Sequence, residues 1–339
     1  MDLNIIWFIL IAVLIIGYAI LDGFDFGVGI LHLFAKNENE KRIGINAIAP
    51  VWDGNEVWLL TAGGALFAAF PIVYASVFSG FYIAIMLLLV ALIFRAVSME
   101  FRGKVESESW RKTWDVAFGI GSTLPPVLFG VAIGNIIRGI PLNANHDFTG
   151  TFLSLLNPYA VLVGVLSLVL FTMHGAIYLT MKTEEEHKTR MINIIPTLWI
   201  AFVTIYFVVT LYSIFESKFL FDGILSNPIF WITFPVMIAT IIFIPVFVKS
   251  GKFGRAFLCS SITIAAMVTL MAIGLFPNFV PSLNDNLAQS LTIYNASSSQ
   301  RTLETMLYIA LLGMPLVIGY TSFIYRIFKG KVVLNEDSY

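Results

Sequence analysis

IIWFILIAVLIIGYAILDGFDFGVGILHLF, residues 5–34, decides the class of this protein. Residues 5–21 carry no charge. A helix needs roughly 20 mostly apolar residues to cross the hydrocarbon core of a bilayer, and this run supplies them. Two aspartates, Asp22 and Asp25, lie toward its far end. No Lys or Arg precedes the run, and no small-x-small cleavage site breaks it. It is therefore expected to stay in place as a first transmembrane helix, not to be cut away as a signal peptide.

The rest of the chain has the same character. Of 339 residues, 58% are hydrophobic and only 12% are charged, with a mean hydropathy of +0.87. Soluble domains carry about a quarter charged residues, so this composition could not cover a water-facing surface. The expected fold class is an all-α integral membrane protein, a single transmembrane domain over residues 1–339. The net charge of −1 gives no sign of a nucleic-acid partner. The single cysteine, Cys259, excludes an internal disulfide, a CxxC redox motif, a cysteine zinc site and c-type haem attachment, and reads as buried packing.

Nine segments are long and apolar enough to be read as spans, at about 4–34, 48–70, 73–98, 116–137, 158–181, 192–215, 229–248, 256–276 and 303–328. The second begins with the polar string WDGNEVW and is the least typical. With nine spans, the basic residues separate cleanly. Sixteen of the 20 lie in the loops after the first, third, fifth and seventh segments or at the C-terminal end, three (Arg138, Lys218, Arg301) lie on the opposite side, and Arg95 is within a span. The positive-inside rule then places the N-terminus outside and the C-terminus in the cytoplasm.

Charged groups at membrane depth cost about 2.5–3.5 kcal/mol each by insertion scales, so those that persist generally have a role. Here they cluster toward one end. Asp22 and Asp25, three apart, share a face of the first helix, and Asp53 and Glu56 do the same near the start of the second. Arg95 lies near the end of the third, and Asp115 opens the fourth. Spaced by water, such carboxylates can relay protons from the cytoplasm. The competing explanation is interfacial charge paired for structure, which suits Asp22 beside Gly23 better than it suits Asp25 and Asp53. Arg95 reads as a supporting counter-ion.

The other polar and small residues say less. Gly23 with Gly27, and Gly63 with Gly64, read as close-packing positions. His32 and His174 lie in or near helices and His146 and His187 in loops, too few well-placed ligands for paired haem ligation, so hydrogen-bonded packing is the preferred reading. No metal site is evident. Trp52, Trp58, Trp110 and Trp114 fit an interfacial aromatic belt.

Five strings extend this reading. ILDGFDFGVG (20–29), INAIAPVWDGNEVWLLTAGGALFAAFP (45–71), FSGFYIAIMLLLVALIFRAV (78–97), LPPVLFGVAIGN (124–135) and SLTIYNASSSQRTLETM (290–306) resemble subunit II of cytochrome bd quinol oxidases. The resemblance runs along the chain, and the WDGN stretch is its most distinctive part. It implies two four-helix bundles plus one peripheral helix, in the bacterial cell membrane. It also implies a complex that oxidises quinol and reduces dioxygen to water, taking protons from the cytoplasm. In the family, two b-type haems and one d-type haem are ligated by a homologous subunit I, and none is expected on this chain. Subunit II stabilises that partner and lines part of the proton route. On this sequence those roles fall on Asp25 of DGFDFG, Asp53 of WDGN, Arg95 of FRAV and Asp115 of KTWDVAF. Glu56 stands where the family often has Gln, so its acid is not essential to a shared mechanism. The loop between the sixth and seventh spans is short for the family. The resemblance leaves room for small accessory subunits and for a structural lipid or quinone.

A proton-coupled secondary transporter is the rival reading, since buried acids and many helices allow it. Transporters generally carry broken helices near the midplane in paired repeats, and none stands out here.

Overall fold

Several of the helices begin at a side chain that accepts from one of their free backbone N–H groups. In the computed structural model, which describes residues 2–283, 289–335 and 338, Asp2 caps α1 (Leu3–His32) by accepting from the N–H of Asn4 at 2.9 Å. Asn37 caps α2 (Glu38–Ile48), followed by α3 (Trp52–Ala69), α4 (Pro71–Gly80) and α5 (Tyr82–Phe101). Ser107 caps α6 (Glu108–Arg138), and Asn157 caps α7 (Pro158–Lys182), where Pro158 stands in the first turn and loses nothing by lacking an N–H. The chain continues through α8 (Glu185–Glu216), α9 (Pro228–Lys249), α10 (Phe253–Leu275) and α11 (Gln300–Ile327), the last capped by Ser299.

Among the described residues, eight of these helices are long and apolar enough to cross a membrane: α1 and α5 to α11. The architecture is thus all-α and membrane-embedded. Of the nine expected spans, the second corresponds to α3, which has 18 residues but opens with Asp53, Asn55 and Glu56 and falls short of the apolarity of the others. The third expected segment is two helices, not one. The chain turns at Phe81 (φ −98°, ψ 18°), after Gly80, where the ring of Phe148 comes so close that a Cβ would lie 2.8 Å from it. Helix α2 lies in what reads from sequence as a loop.

Two cores hold the bundle. The larger joins α1 and α7 to α6, α8, α9 and α10, around Phe24, Phe26, Phe118, Ile177 and Phe202. The smaller closes the end where α1 begins, around Trp7, Phe8, Phe70 and Leu142. There a short antiparallel pair, β1 (Asn278–Val280) and β2 (Leu291–Thr292), meets the loop after α6: the Ile140 N–H donates to the Pro281 carbonyl, and the Leu283 N–H donates to the Ile140 carbonyl. The opposite end, where α1 finishes and α6 starts, carries the charged residues. Helix α11 adds only Leu303 to the buried residues and packs beside α3 and α1.

Candidate functional site

Asp22 and Asp25 lie one turn apart on α1, and both are fully buried. Arg95 reaches them from α5, itself 0% exposed, and its Nη2 donates to Asp22 Oδ1 at 2.6 Å. Glu56 Oε2 of α3 stands 3.6 Å from the same nitrogen. The guanidinium lies 4.5 Å from the centre of the Phe26 ring, so an aromatic face supplies part of its environment. Asp25 does not bond Arg95. Its Oδ2 accepts from Asn55 Nδ2 at 2.8 Å, and Asn55 Oδ1 accepts from the Tyr325 hydroxyl at 2.9 Å. Several buried polar atoms here have no protein partner: Asp22 Oδ2, Asp25 Oδ1, Arg95 Nε and Nη1, and Tyr18 Oη. Buried polar atoms without protein partners are characteristically met by internal water. The arrangement is therefore a buried charged cluster, with polar atoms open to hydration, inside a bundle of apolar helices.

Asp115 belongs to a separate cluster, placed two turns further along α1 by its bond to His32. Its carboxylate accepts from Arg102 Nε at 2.5 Å and Lys41 Nζ at 2.8 Å and contacts His32 Nε2 at 2.7 Å. Arg102 also grips both oxygens of Glu38, at 2.7 and 2.8 Å. Helix α2 is thereby tied to the α5–α6 turn. Those bonds from Arg102 hold the Glu38 carboxyl below the usual carboxylate range. The stability this lends is complete above the unfolded-state pKa and is lost as pH falls through the lower folded-state value. Glu38→Gln should lower the thermal midpoint of the detergent-solubilised protein at neutral pH. The gap to the wild type should close as pH falls below about 4. A gap of constant size across pH would show that shape, not charge, matters at this position.

The structure brings Asp22, Asp25, Arg95 and Glu56 together, while Asp115, also expected to converge with them, lies in the second cluster. Asp53 joins neither, because it lies exposed in the first turn of α3. Successive helical residues are about 100° apart, so the buried polar position of WDGN is Asn55, two residues on. His187 lies within α8, not in a loop. His174 is a packing histidine: Nδ1 meets Ser260 Oγ at 2.7 Å, Nε2 meets the Ile20 carbonyl at 3.1 Å, and Phe257 stacks on the ring. Among the described residues no group of three or more His, Cys, Asp or Glu could hold a metal ion. Asn55, Tyr325, Lys41 and Arg102 belong to the two clusters as well, beyond the residues expected from sequence. The available signal was weak: Asn55 is an amide inside an apolar helix, and the others read as ordinary interfacial residues.

The family model for cytochrome bd terminal oxidase subunit II matches residues 3–328. The chain is 39% identical to a probable cytochrome oxidase subunit 2 of Haemophilus influenzae, over 98% of this chain and 96% of that one. It is 38% identical to cytochrome bd-I ubiquinol oxidase subunit 2 of Escherichia coli K12, over 99% and 96%. It is 37% identical to cytochrome bd ubiquinol oxidase subunit 2 of Bacillus subtilis, over 99% and 98%. A chain of the bd oxidase from Geobacillus thermodenitrificans shares the fold at 18% identity, with a TM-score of 0.80 over 97% of this chain and 99% of that one. A bundle of apolar helices around a buried aspartate–arginine group, matched along nearly its whole length, belongs to the cytochrome bd terminal oxidase subunit II family.

Proposed function

We propose that this chain, as the second subunit of a cytochrome bd-type terminal quinol oxidase, both holds the haem-bearing subunit I in the bacterial membrane and carries part of the proton supply for oxygen reduction. The complex oxidises quinol and reduces dioxygen to water, and each electron delivered to oxygen requires one proton. The observation that carries the proton role is the hydratable group around Asp22, Asp25 and Arg95, with its carboxylate and guanidinium atoms left without protein partners. The basic-residue bias supports an N-terminus outside and a C-terminus in the cytoplasm. In that orientation both charged clusters lie toward the proton source.

The exposed face of α3 supports the partner. Asp53, Val57, Leu60, Gly64 and Phe67 repeat at helical spacing and form one stripe left uncovered by this chain. A stripe holding a carboxylate and a glycine at membrane depth suits a protein neighbour better than lipid. Covered in this way, α3 becomes the ninth span, and a pair of four-helix bundles with α11 at the periphery is the arrangement we favour. Asp53 then serves proton transfer at the subunit boundary, and Asp115, held by three basic partners, at the inlet.

Haem, implied by a cytochrome, finds poor ligands on this chain. His174 would have to surrender both ring hydrogen bonds, and His32 its bond to Asp115. This favours haem ligation by subunit I, where we place the two b-type haems and one d-type haem that the resemblance implies. The proton-coupled transporter considered as a rival is set aside with the family assignment.

The test is Asp25→Asn in the assembled oxidase, measured as quinol-dependent oxygen uptake together with the haem spectrum and subunit stoichiometry. Turnover should fall about tenfold, a barrier increase of about 1.4 kcal/mol, with haem content unchanged. Asp53→Asn should show a smaller loss. Full activity in both variants would leave this subunit a scaffold without a proton role.

A further inference from the structure

A cavity of about 280 Å³ opens at the C-terminal end of α11, lined in part by Asn46, Tyr178, Lys182, Tyr325, Lys329 and Val332. The segment after α11 is tied across it. The Val332 N–H donates to the Lys182 carbonyl at 2.9 Å, Lys182 Nζ donates to the Phe328 carbonyl at 2.6 Å, and Lys331 pairs with Glu184. Tyr325 is the residue that joins this cavity to the buried acids. It lines the cavity, and its hydroxyl donates to Asn55, whose amide donates in turn to Asp25.

We infer that Tyr325 and Asn55 form a clamp that orients Asp25, and that the cavity beneath the C-terminal segment is the water-filled vestibule from which Asp25 is protonated. The inference rests on the proton-supply reading above and adds to it an entrance and a positioning residue. An amide is a poor proton carrier, so the chain Tyr325–Asn55–Asp25 is not itself the wire. Its effect is geometric. Asn55 occupies Asp25 Oδ2 and is held in that orientation by Tyr325 on one side and by the Leu21 carbonyl, 3.2 Å from its nitrogen, on the other. Oδ1 remains buried and without a protein partner. A proton leaving a hydronium in the vestibule forms the O–H bond at Oδ1, and the same proton departs to the next water, with no electron transferred. The other ionisable groups around Asp25 are Asp22 on its own helix, Glu56 of α3, Arg95 of α5 and Tyr178 of α7.

The experiment uses the assembled oxidase. Tyr325→Phe removes one hydroxyl and keeps the ring. Oxygen uptake should fall about fivefold through loss of a single orienting hydrogen bond. The KM for quinol, the haem spectrum and the subunit ratio should be unchanged, and the solvent deuterium isotope effect should rise. In the Asp25→Asn background, Tyr325→Phe should cost nothing further. If Asp25→Asn slows turnover while Tyr325→Phe alone matches the wild type, the clamp is wrong and the proton route stands. If Asp25→Asn is fully active, the route itself fails. If Tyr325→Phe loses haem or subunit I, Tyr325 is structural and the clamp is overturned. The vestibule is tested separately with Val332→Cys and a methanethiosulfonate reagent, the untreated variant and the treated wild type serving as controls. Blockage reversed by dithiothreitol supports the entrance, and full activity of the labelled complex overturns it.

Discussion

Arg95→Leu should yield almost no assembled oxidase, whereas Arg95→Leu combined with Asp22→Asn should recover much of it. Among the described residues Arg95 is the largest fully buried side chain, and its strong ionic contact is to an equally buried Asp22. Removing one partner of a buried ion pair typically costs about 3–5 kcal/mol, because the survivor keeps its charge without compensation. Here that cost is amplified, since Asp22 Oδ2 already lacks a protein partner and would keep only what water supplies. Neutralising Asp22 as well removes the stranded charge and leaves a neutral amide with a weaker demand for partners. The measurement is the yield of haem-containing complex after affinity purification of this subunit. Equal yields from the single variant and the wild type would mean that the pair contributes nothing to stability. Equal losses from the single and double variants would assign the role to the guanidinium's packing on Phe26, 4.5 Å away, and not to charge.

The class of fold was legible because lipid imposes a simple rule. Backbone polar groups must be satisfied within each segment, so long apolar runs become helices. Apolar runs such as 158–181 and 229–248 are helices with ends within a few residues of those expected, whereas 116–137 and 192–215 belong to helices that start eight and seven residues earlier. The departures from the expected pattern share a cause, since they concern tertiary contact and not composition. Nothing in the apolar run 73–98 announces a break at Phe81; the break accompanies Phe148, delivered by a distant loop. Nothing in WDGNEVW distinguishes the exposed Asp53 from the buried Asn55, because the direction of a helix face is set by its neighbours. The glycines make the same point. Gly27 is a close-packing position, as its spacing suggests, but a Cβ on Gly63 or Gly64 would meet nothing within 4 Å. Those two lie on a part of α3 that this chain leaves open. The acids of the site were visible as charges in apolar sequence. Their partners Asn55 and Tyr325, some 270 residues apart, required the fold to bring them together.

Gly27→Val should be the most damaging small substitution in the chain. Helices α1 and α7 cross with Gly27 against Gly175. A Cβ on Gly27 would lie 2.0 Å from the Phe171 carbonyl oxygen and 2.8 Å from the Gly175 Cα. These are backbone atoms, so no side-chain rotation relieves the clash, and the helices must separate. Helix α7 is held in the same way three turns toward its N-terminus, where a Cβ on Gly130 of α6 would lie 2.6 Å from the Gly164 Cα. Within lipid, such close approach is itself a source of helix association, through backbone packing rather than water exclusion. Overpacking a well-filled core usually costs about 1–3 kcal/mol. A rigid backbone contact and a β-branched side chain place Gly27→Val at or beyond the upper end. The consequence reaches the site, because Gly27 lies two residues from Asp25, and a displaced α1 would draw that carboxylate away from Asn55. Gly27→Ala should show an intermediate loss. Gly63→Ala is the control for the chain's own packing. The readout is protease resistance of the tagged subunit in membranes, followed by heating of the solubilised complex and size-exclusion chromatography. Wild-type resistance and elution in Gly27→Val would show that α1 and α7 are not held by this crossing.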